Sequence, residues 1–390
     1  MADKTPCAEI TEKREITLET FVFILGFLVF FSLFVSRMGL VNTINTMMNT
    51  AYALLVDTVL YLTAICVLMG AVAALFTEFG VVSLANRLLK PLMQPLYGLP
   101  GAAALGIVTT FLSDNPAILT LANDHYFRSF FKRYQVPALT NLGTSFGMGL
   151  IVCTYMLGLS ARSELSFGKS VAAGLLGAVI GSIVSTRLML TFTRKSFPTV
   201  DTAPSAQGPS SVRTRPVRPG GIGLRLMNAL LEGGADGVKM GTSIVPGVLI
   251  ICTFIMMLTN PAGSGGLYTG AAYEGIGLLP ALAERCAFLL DPLFGFSSPV
   301  AISVPITALG AAGAATGVAG QLVSDGLADA GDVAVFTAMC MCWSGYLSTH
   351  VSMMNSLGHR ELISKAIISH TIGGLCAGVA AHWLFELFCI

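Results

Sequence analysis

The sequence predicts an all-α polytopic membrane protein: an inverted repeat of three spans plus one re-entrant hairpin each, with one extra N-terminal helix, so about seven spans and two hairpins. Three observations predict it. Hydrophobic residues make up 54% of the 390 and charged residues only 11%, against about 25% charged in a soluble domain. Two halves of the chain carry matching residues in matching order, and the basic residues fall in alternating loops.

Taken in order, residues 1–45 form a mixed-charge tail and the extra helix, Thr17–Leu40. That helix starts late for a cleaved leader and runs on without a small-residue cleavage pattern, so it reads as a mature span. Apolar runs with the length of a membrane crossing are Phe21–Val35 with its flanks, Ala51–Phe76, Ala138–Leu159, Val171–Phe192, Thr242–Leu258, Val333–Met354 and Ala366–Phe388.

Residues 46–193 make the first repeat and 225–390 the second. Met48-Asn49, Asp57, Val59, Thr63 and Ile65 return at one constant offset as Met227-Asn228, Asp236, Val238, Thr242 and Ile244. Pro95-Leu96-Tyr97-Gly98 returns as Pro292-Leu293-Phe294-Gly295, Lys169 as Lys365 and Gly177 as Gly373. The larger offset of these later matches follows from the Gly-rich insertion Pro261–Gly277. Order and near-constant spacing across so many positions exclude coincidence better than any single match. Each half then holds a long helix, a short charged segment, a small-residue segment broken near its middle (residues 98–123 and 297–323), and two more helices. Residues 194–224, rich in Pro, Ser and Arg, read as a cytoplasmic linker.

Orientation follows from Lys and Arg, which stay on the cytoplasmic side. Arg194, Lys195, Arg213, Arg215, Arg218 and Arg225 put the linker inside. Two spans back, Arg128, Lys132 and Arg133 put residues 124–137 inside as well. Arg87 and Lys90 then also lie inside only if residues 98–123 turn back within the membrane. In the second half the matching loop, Ser324–Asp332, carries three acids and no base, which suits the outside. Each half therefore has an odd number of spans and the halves are inverted. The N-terminus is expected in the cytoplasm of a bacterial inner membrane and the C-terminus outside.

Inverted halves with interrupted helices are the pattern of a secondary transporter. The segment LPGAAALGIVTTFLSDNPAILTLANDHYF followed by VPALTNLGTSFGMGLIVCTYMLGL resembles the nucleoside recognition, or Gate, domain. In its order of elements the chain is similar to the core of the concentrative nucleoside transporters, to spore maturation proteins A and B, and to the membrane part of ferrous-iron transporter B. The resemblance implies alternating access, coupling to Na⁺ or H⁺, and a homo-oligomer, a trimer or a dimer. No GxxxxGK[ST] phosphate loop is present, so a nucleotide-hydrolysing part is not expected.

Irregular backbone at membrane depth is tolerated only where protein or water covers it. Ser113-Asp114-Asn115 before Pro116 supplies such backbone, since Pro lacks a donor and disfavours helix before it. Ser113, Asp114 and Asn115 are therefore expected to bind a small polar or anionic solute, nucleoside-like included, with Asp114 also a candidate for the coupling ion. A cap on the helix starting at Pro116 accounts for the same residues structurally. In the second hairpin, TALGAAGAAT, Thr307 is the candidate, and its small neighbours admit either a solute or tight packing. The resemblance places unwound helices opposite the hairpins, with Asn141, Thr144 and Ser145 in the first half and Ser344, Ser348 and His350 in the second as solute contacts. Asn141 and Thr144 also count as coupling-ion contacts, though Ser and Thr can equally bond their own helix carbonyls.

Nothing points to catalysis. The nine cysteines are scattered, and Cys340 and Cys342 lack zinc or redox spacing. No cofactor, resident metal, nucleic-acid partner or enzyme activity is expected; the partners are the solute and the lipid bilayer. The rival reading is a non-transporting membrane partner of the spore-maturation type.

Overall fold

The computed structural model describes residues 15–123, 125–163, 165–197 and 217–389. The expected linker thus lies largely outside the described residues, and so does most of the N-terminal tail. Everything regular among the described residues is helical, and six helices have the length and apolarity to cross a membrane. The chain is a multi-pass membrane protein.

Helix α1 (Leu18–Met38) stands at the periphery and buries only Phe34 and Met38. These pack on the buried Met257 and on Phe254, while Phe23 and Phe27 are exposed, as a lipid-facing helix requires. Helix α2 (Leu40–Glu78) is the first long crossing, with a π-helical segment at Leu54–Val59. After the left-handed Gly80 comes the amphipathic α3 (Val81–Leu92), which buries no residue. Hairpin 1 is α4 (Ala103–Leu112) and α5 (Pro116–Asn123). A broken crossing follows as α6 (Ala138–Thr144) and α7 (Gly149–Gly158), then α8 (Gly168–Ser196). Arg194 and Lys195, expected in the linker, complete the last turn of α8, where cations favour the negative helix end.

The second half repeats this order. Helix α9 (Ile222–Thr259) has its own π segment at Val248–Cys252. The short α10 (Leu278–Arg285) and α11 (Ala287–Phe294) occupy the place of α3. Hairpin 2 is α12 (Ser303–Gly310) and α13 (Ala312–Ser324). The expected span Val333–Met354 is not one helix: it is α14 (Ala330–Trp343) and α15 (Tyr346–Ser356), broken at Ser344-Gly345. The final crossing is α16 (Ile363–Cys389).

Matching sequence produces matching backbone. Gly98 and Gly295, which end the two Pro-Leu-aromatic-Gly runs, are both left-handed, at φ 69° and 59°. Gly80 and Gly277, which open α3 and α10, are left-handed too, at φ 84° and 60°. Only glycine adopts this conformation without steric cost.

Glycine also allows the long helices to cross backbone on backbone. A Cβ on Gly237 would lie 2.3 Å from the Cys66 carbonyl oxygen, one on Gly233 would lie 2.4 Å from that of Gly70, and one on Gly241 would meet Thr63. Residue numbers fall on α2 as they rise on α9, so these corresponding helices pack antiparallel. The same holds for α8 and α16, where Gly181 faces Gly373 and Ala377 while Gly177 faces Ala377 and Ala381. Small residues let membrane helices approach closely enough for dispersion contacts to replace the hydrophobic drive that lipid does not supply. Helices α8, α14 and α16 pack extensively on one another, as α2 does on α9.

Candidate functional site

Four interruptions of helix meet in the middle of the chain. Hairpin 1 breaks at Ser113–Asn115, with Ser113 at φ −132°, ψ −117°, and hairpin 2 at Ala311, which is extended. The first broken crossing unwinds over Ser145–Met148, where Met148 is left-handed. The second unwinds at Ser344 and Gly345, both with positive φ. Each break frees backbone donors and acceptors that apolar surroundings cannot satisfy.

The tips and breaks satisfy one another across the repeat. The Asn115 side-chain amide donates to the Ser344 carbonyl at 2.7 Å, and the Gly345 N–H donates to the Ala308 carbonyl of hairpin 2 at 2.9 Å. One residue pair, Ser344-Gly345, is therefore held from both hairpins. Gly147 closes the first break against the same place: a Cβ there would sit 1.8 Å from Asn115 Oδ1 and 2.8 Å from Ser344 Oγ. Gly149 likewise leaves room for the Phe111 ring.

Of the residues singled out from sequence, Asn115 and Ser344 are brought together, and Thr144 ends α6 at the first break. Asn115, Thr144 and Ser145 are buried. Asn115 Oδ1, Thr144 Oγ1 and His350 Nε2 are buried atoms with no hydrogen-bond partner among the described residues, each costing about 1–3 kcal/mol if nothing meets it. Asp114 is half-buried and accepts the Asn115 N–H at 2.7 Å, a local bond at the start of α5. Ser113 lines a cavity of about 400 Å³. This cavity lies under hairpin 1, between Thr109 and Ser113 on one side and Cys66, Gly70 and Gly237 of the α2/α9 crossing on the other. That volume is within the ~300–1,000 Å³ of small-molecule sites.

Other expected residues face elsewhere. The Asn141 amide donates to Ser185 Oγ (3.1 Å), Ser369 Oγ (3.0 Å) and the Ala366 carbonyl (3.1 Å), tying α6 to α8 and α16. Ser145 and Thr307 bond the carbonyls of Asn141 and Ser303 within their own helices. Ser348 is exposed and its hydroxyl reaches the Gly345 carbonyl.

Sequence reasoning did not foresee what braces the breaks. His370 donates from Nε2 to the Cys342 carbonyl at 2.6 Å, an acceptor beside the Ser344 break, and takes the Ser185 hydroxyl on Nδ1 at 2.9 Å. Three polar residues in otherwise apolar spans, Ser185, Ser369 and His370, were the available signal. Gly147 was legible in principle as part of Gly147-Met148-Gly149, just after the polar Thr140–Ser145 run. Glu78 is 4% exposed and paired at 2.7 Å with both Arg218 and Arg225, joining the end of α2 to the start of α9.

No protein-family model matches the chain, and no curated protein is similar to it. Among solved structures it is similar to several states of the concentrative nucleoside transporter CNTnw. The inward-facing substrate-bound state is 13% identical, with 84% of this chain and 75% of that chain covered and a TM-score of 0.44. A doubly substituted form in an outward-facing state is 14% identical, with 95% and 84% covered and a TM-score of 0.45. A singly substituted form in the intermediate 2 state is 13% identical, with 95% and 85% covered and a TM-score of 0.46.

Proposed function

We propose that the chain is a secondary active transporter that moves a small polar or anionic solute, nucleoside-like compounds included, by alternating access. The observation that carries this reading is the meeting of both hairpin tips and both helix breaks, with Asn115 Oδ1 and Thr144 Oγ1 buried and unpartnered there. Asn115 Oδ1 asks for a hydrogen-bond donor and the Thr144 hydroxyl can donate or accept, which suits a neutral solute bearing N–H or O–H groups. Ser113, Asp114, Asn115, Thr144 and Ser344 are the proposed solute contacts. Asp114 and Thr144 offer oxygen to a coupling Na⁺.

The division of packing supports the mechanism. Helices α6, α8 and α16, stitched through Asn141, Ser185 and Ser369, form a polar-braced unit that carries the breaks. The α2/α9 pair, locked by glycines, forms another. The cavity beneath hairpin 1 lies between that pair and the hairpin, where a sliding of the hairpin past the pair would open a path. In this reading the protein sits in a bacterial inner membrane with a cytoplasmic N-terminus, works as a homo-oligomer, and shares ancestry with the Gate-domain proteins.

The test is counterflow in proteoliposomes with a panel of nucleosides and other small polar solutes, under Na⁺ and pH gradients. Saturable exchange of one solute class is expected. Absence of exchange for all of them, from protein shown to be folded, contradicts the reading.

A further inference from the structure

We propose that His350 Nε2 is a proton-binding site through which a proton gradient drives the movement of the two hairpins; this rests on the transporter reading above. The tautomer is set by the structure. His350 Nδ1 lies 3.0 Å from the Tyr346 carbonyl, which can only accept, so Nδ1 carries the hydrogen and Nε2 keeps its lone pair. That lone pair is fully buried and meets no donor.

The neighbouring imidazole cannot play this part. His370 packs 4.6 Å from His350, centroid to centroid, but both of its nitrogens are engaged, one by the Cys342 carbonyl and the other by the Ser185 hydroxyl. Of the two neighbouring rings, only His350 has a nitrogen free to take a hydrogen. A proton needs no room beyond the lone pair, whereas the cavity that reaches hairpin 1 is lined by other residues.

The surroundings make protonation dependent on conformation. The elements packed against α15 are α5, α6, α12, α16 and the turn Arg360–Leu362. Helices α5, α6 and α12 carry no titratable side chain. From α16 come His370 and Lys365, the latter bonded to Ser196; from the turn come Arg360, bonded to Asn355, and Glu361, beside His359. Asp114 precedes α5 and is bonded to its neighbour Asn115. No carboxylate contacts the His350 ring, so a proton added here makes an uncompensated buried cation, which is costly. The loaded form therefore belongs to a state in which water reaches α15. The ring sits one turn from Ser344-Gly345, the joint held by Asn115 from hairpin 1 and by Ala308 from hairpin 2. A charge at His350 thus acts on the point that both hairpins share.

Two measurements decide this. In nanodiscs without solute, histidine nitrogen NMR, with His350 assigned by its absence in His350→Gln, is expected to show Nε2 unprotonated at about pH 8 and an imidazolium by about pH 5, the range in which histidine switches. His370 should stay neutral over that range. In proteoliposomes, His350→Gln is expected to keep counterflow at equal pH but to lose pH-gradient-driven accumulation, the inside-to-outside ratio falling to about one because no driving proton is bound. A His350 that stays neutral to about pH 5 overturns the proposal whatever the solute, as does a His350→Gln protein that still accumulates solute under a pH gradient. Failure of wild-type counterflow, with His350 nonetheless titrating, contradicts the transporter reading and leaves the proton site standing.

Discussion

The Asn115 side-chain amide donates to the Ser344 carbonyl at 2.7 Å across 229 residues of sequence. The bond joins the tip of one hairpin to the break of the opposite repeat's helix, and Gly147 is the residue that leaves space for it. Removing the amide leaves a buried carbonyl unsatisfied. Asn115→Ala is expected to lose about 1–3 kcal/mol of stability, read as a lowered Tm in detergent. An unchanged Tm shows that the carbonyl is satisfied some other way.

Gly147→Ala tests the same joint from the other side. Its Cβ would enter the space of Asn115 Oδ1, and overpacking of this kind costs about 1–3 kcal/mol. The double variant Asn115→Ala/Gly147→Ala should recover part of the loss, because the clashing atom is gone. Additive losses would show that the two residues do not share a contact.

The glycine crossing of α2 and α9 tolerates no side chain. Gly237→Leu should prevent the close approach to Cys66 and Val67 and give a protein that aggregates on extraction. A monodisperse Gly237→Leu protein would mean that the two helices separate without consequence. Gly26, on the exposed α1 with open space around it, is the control position where Leu should be harmless.

Two carboxylates, Glu274 in the Gly-rich loop and Asp332 in the first turn of α14, respond to acid in opposite directions. Burial pushes Glu274 up, but bonds from Thr269, Gly270 and Thr46 outweigh it and hold the group below its ordinary 4.5. Its stabilisation is therefore present above pH 4.5 and lost as pH falls through the lower folded value. Burial pushes Asp332 up from 3.8 to about 6, against the bonds from Ser297 and Asp329. The native form takes its proton first, so acidification from about 6 to 3.8 adds stability at this corner and alkalinity removes it. Thermal unfolding against pH should lose the acid-side fall in Glu274→Gln and the rise in Asp332→Asn. A pH profile identical to wild type in either variant contradicts its assignment.

The inverted arrangement has its own check. A cysteine at Leu327, which is exposed, should react with an impermeant maleimide from outside intact cells, and a cysteine at Gly221 only after permeabilisation. The reverse pattern overturns the orientation.

Much of the architecture was legible because it rests on patterns the chain repeats. Apolar runs marked the long helices, and Ser113–Pro116 marked a break, since proline and capping residues act locally. The repeat paired Gly98 with Gly295, and both prove to be left-handed. The break within Val333–Met354 was legible only through the resemblance, which implies an unwound helix there, because hydropathy averages over Ser344-Gly345 while backbone conformation does not. Side-chain direction was also out of reach: Asn141 and Thr144 are three residues apart, yet the first serves Ser185 and Ser369 while the second stays unpartnered. The pairing of Glu78 was out of reach too, because its arginines, Arg218 and Arg225, lie far along the chain.

The central claim, that a solute is held where the hairpins and broken helices meet, is tested most directly by equilibrium counterflow of the best-exchanged solute in wild type and Asn115→Ser, reconstituted at equal density. The account predicts saturable exchange in wild type and at least a tenfold rise in KM or loss of exchange in Asn115→Ser, about 1.4 kcal/mol or more of lost binding. Equal exchange by the two proteins would contradict it.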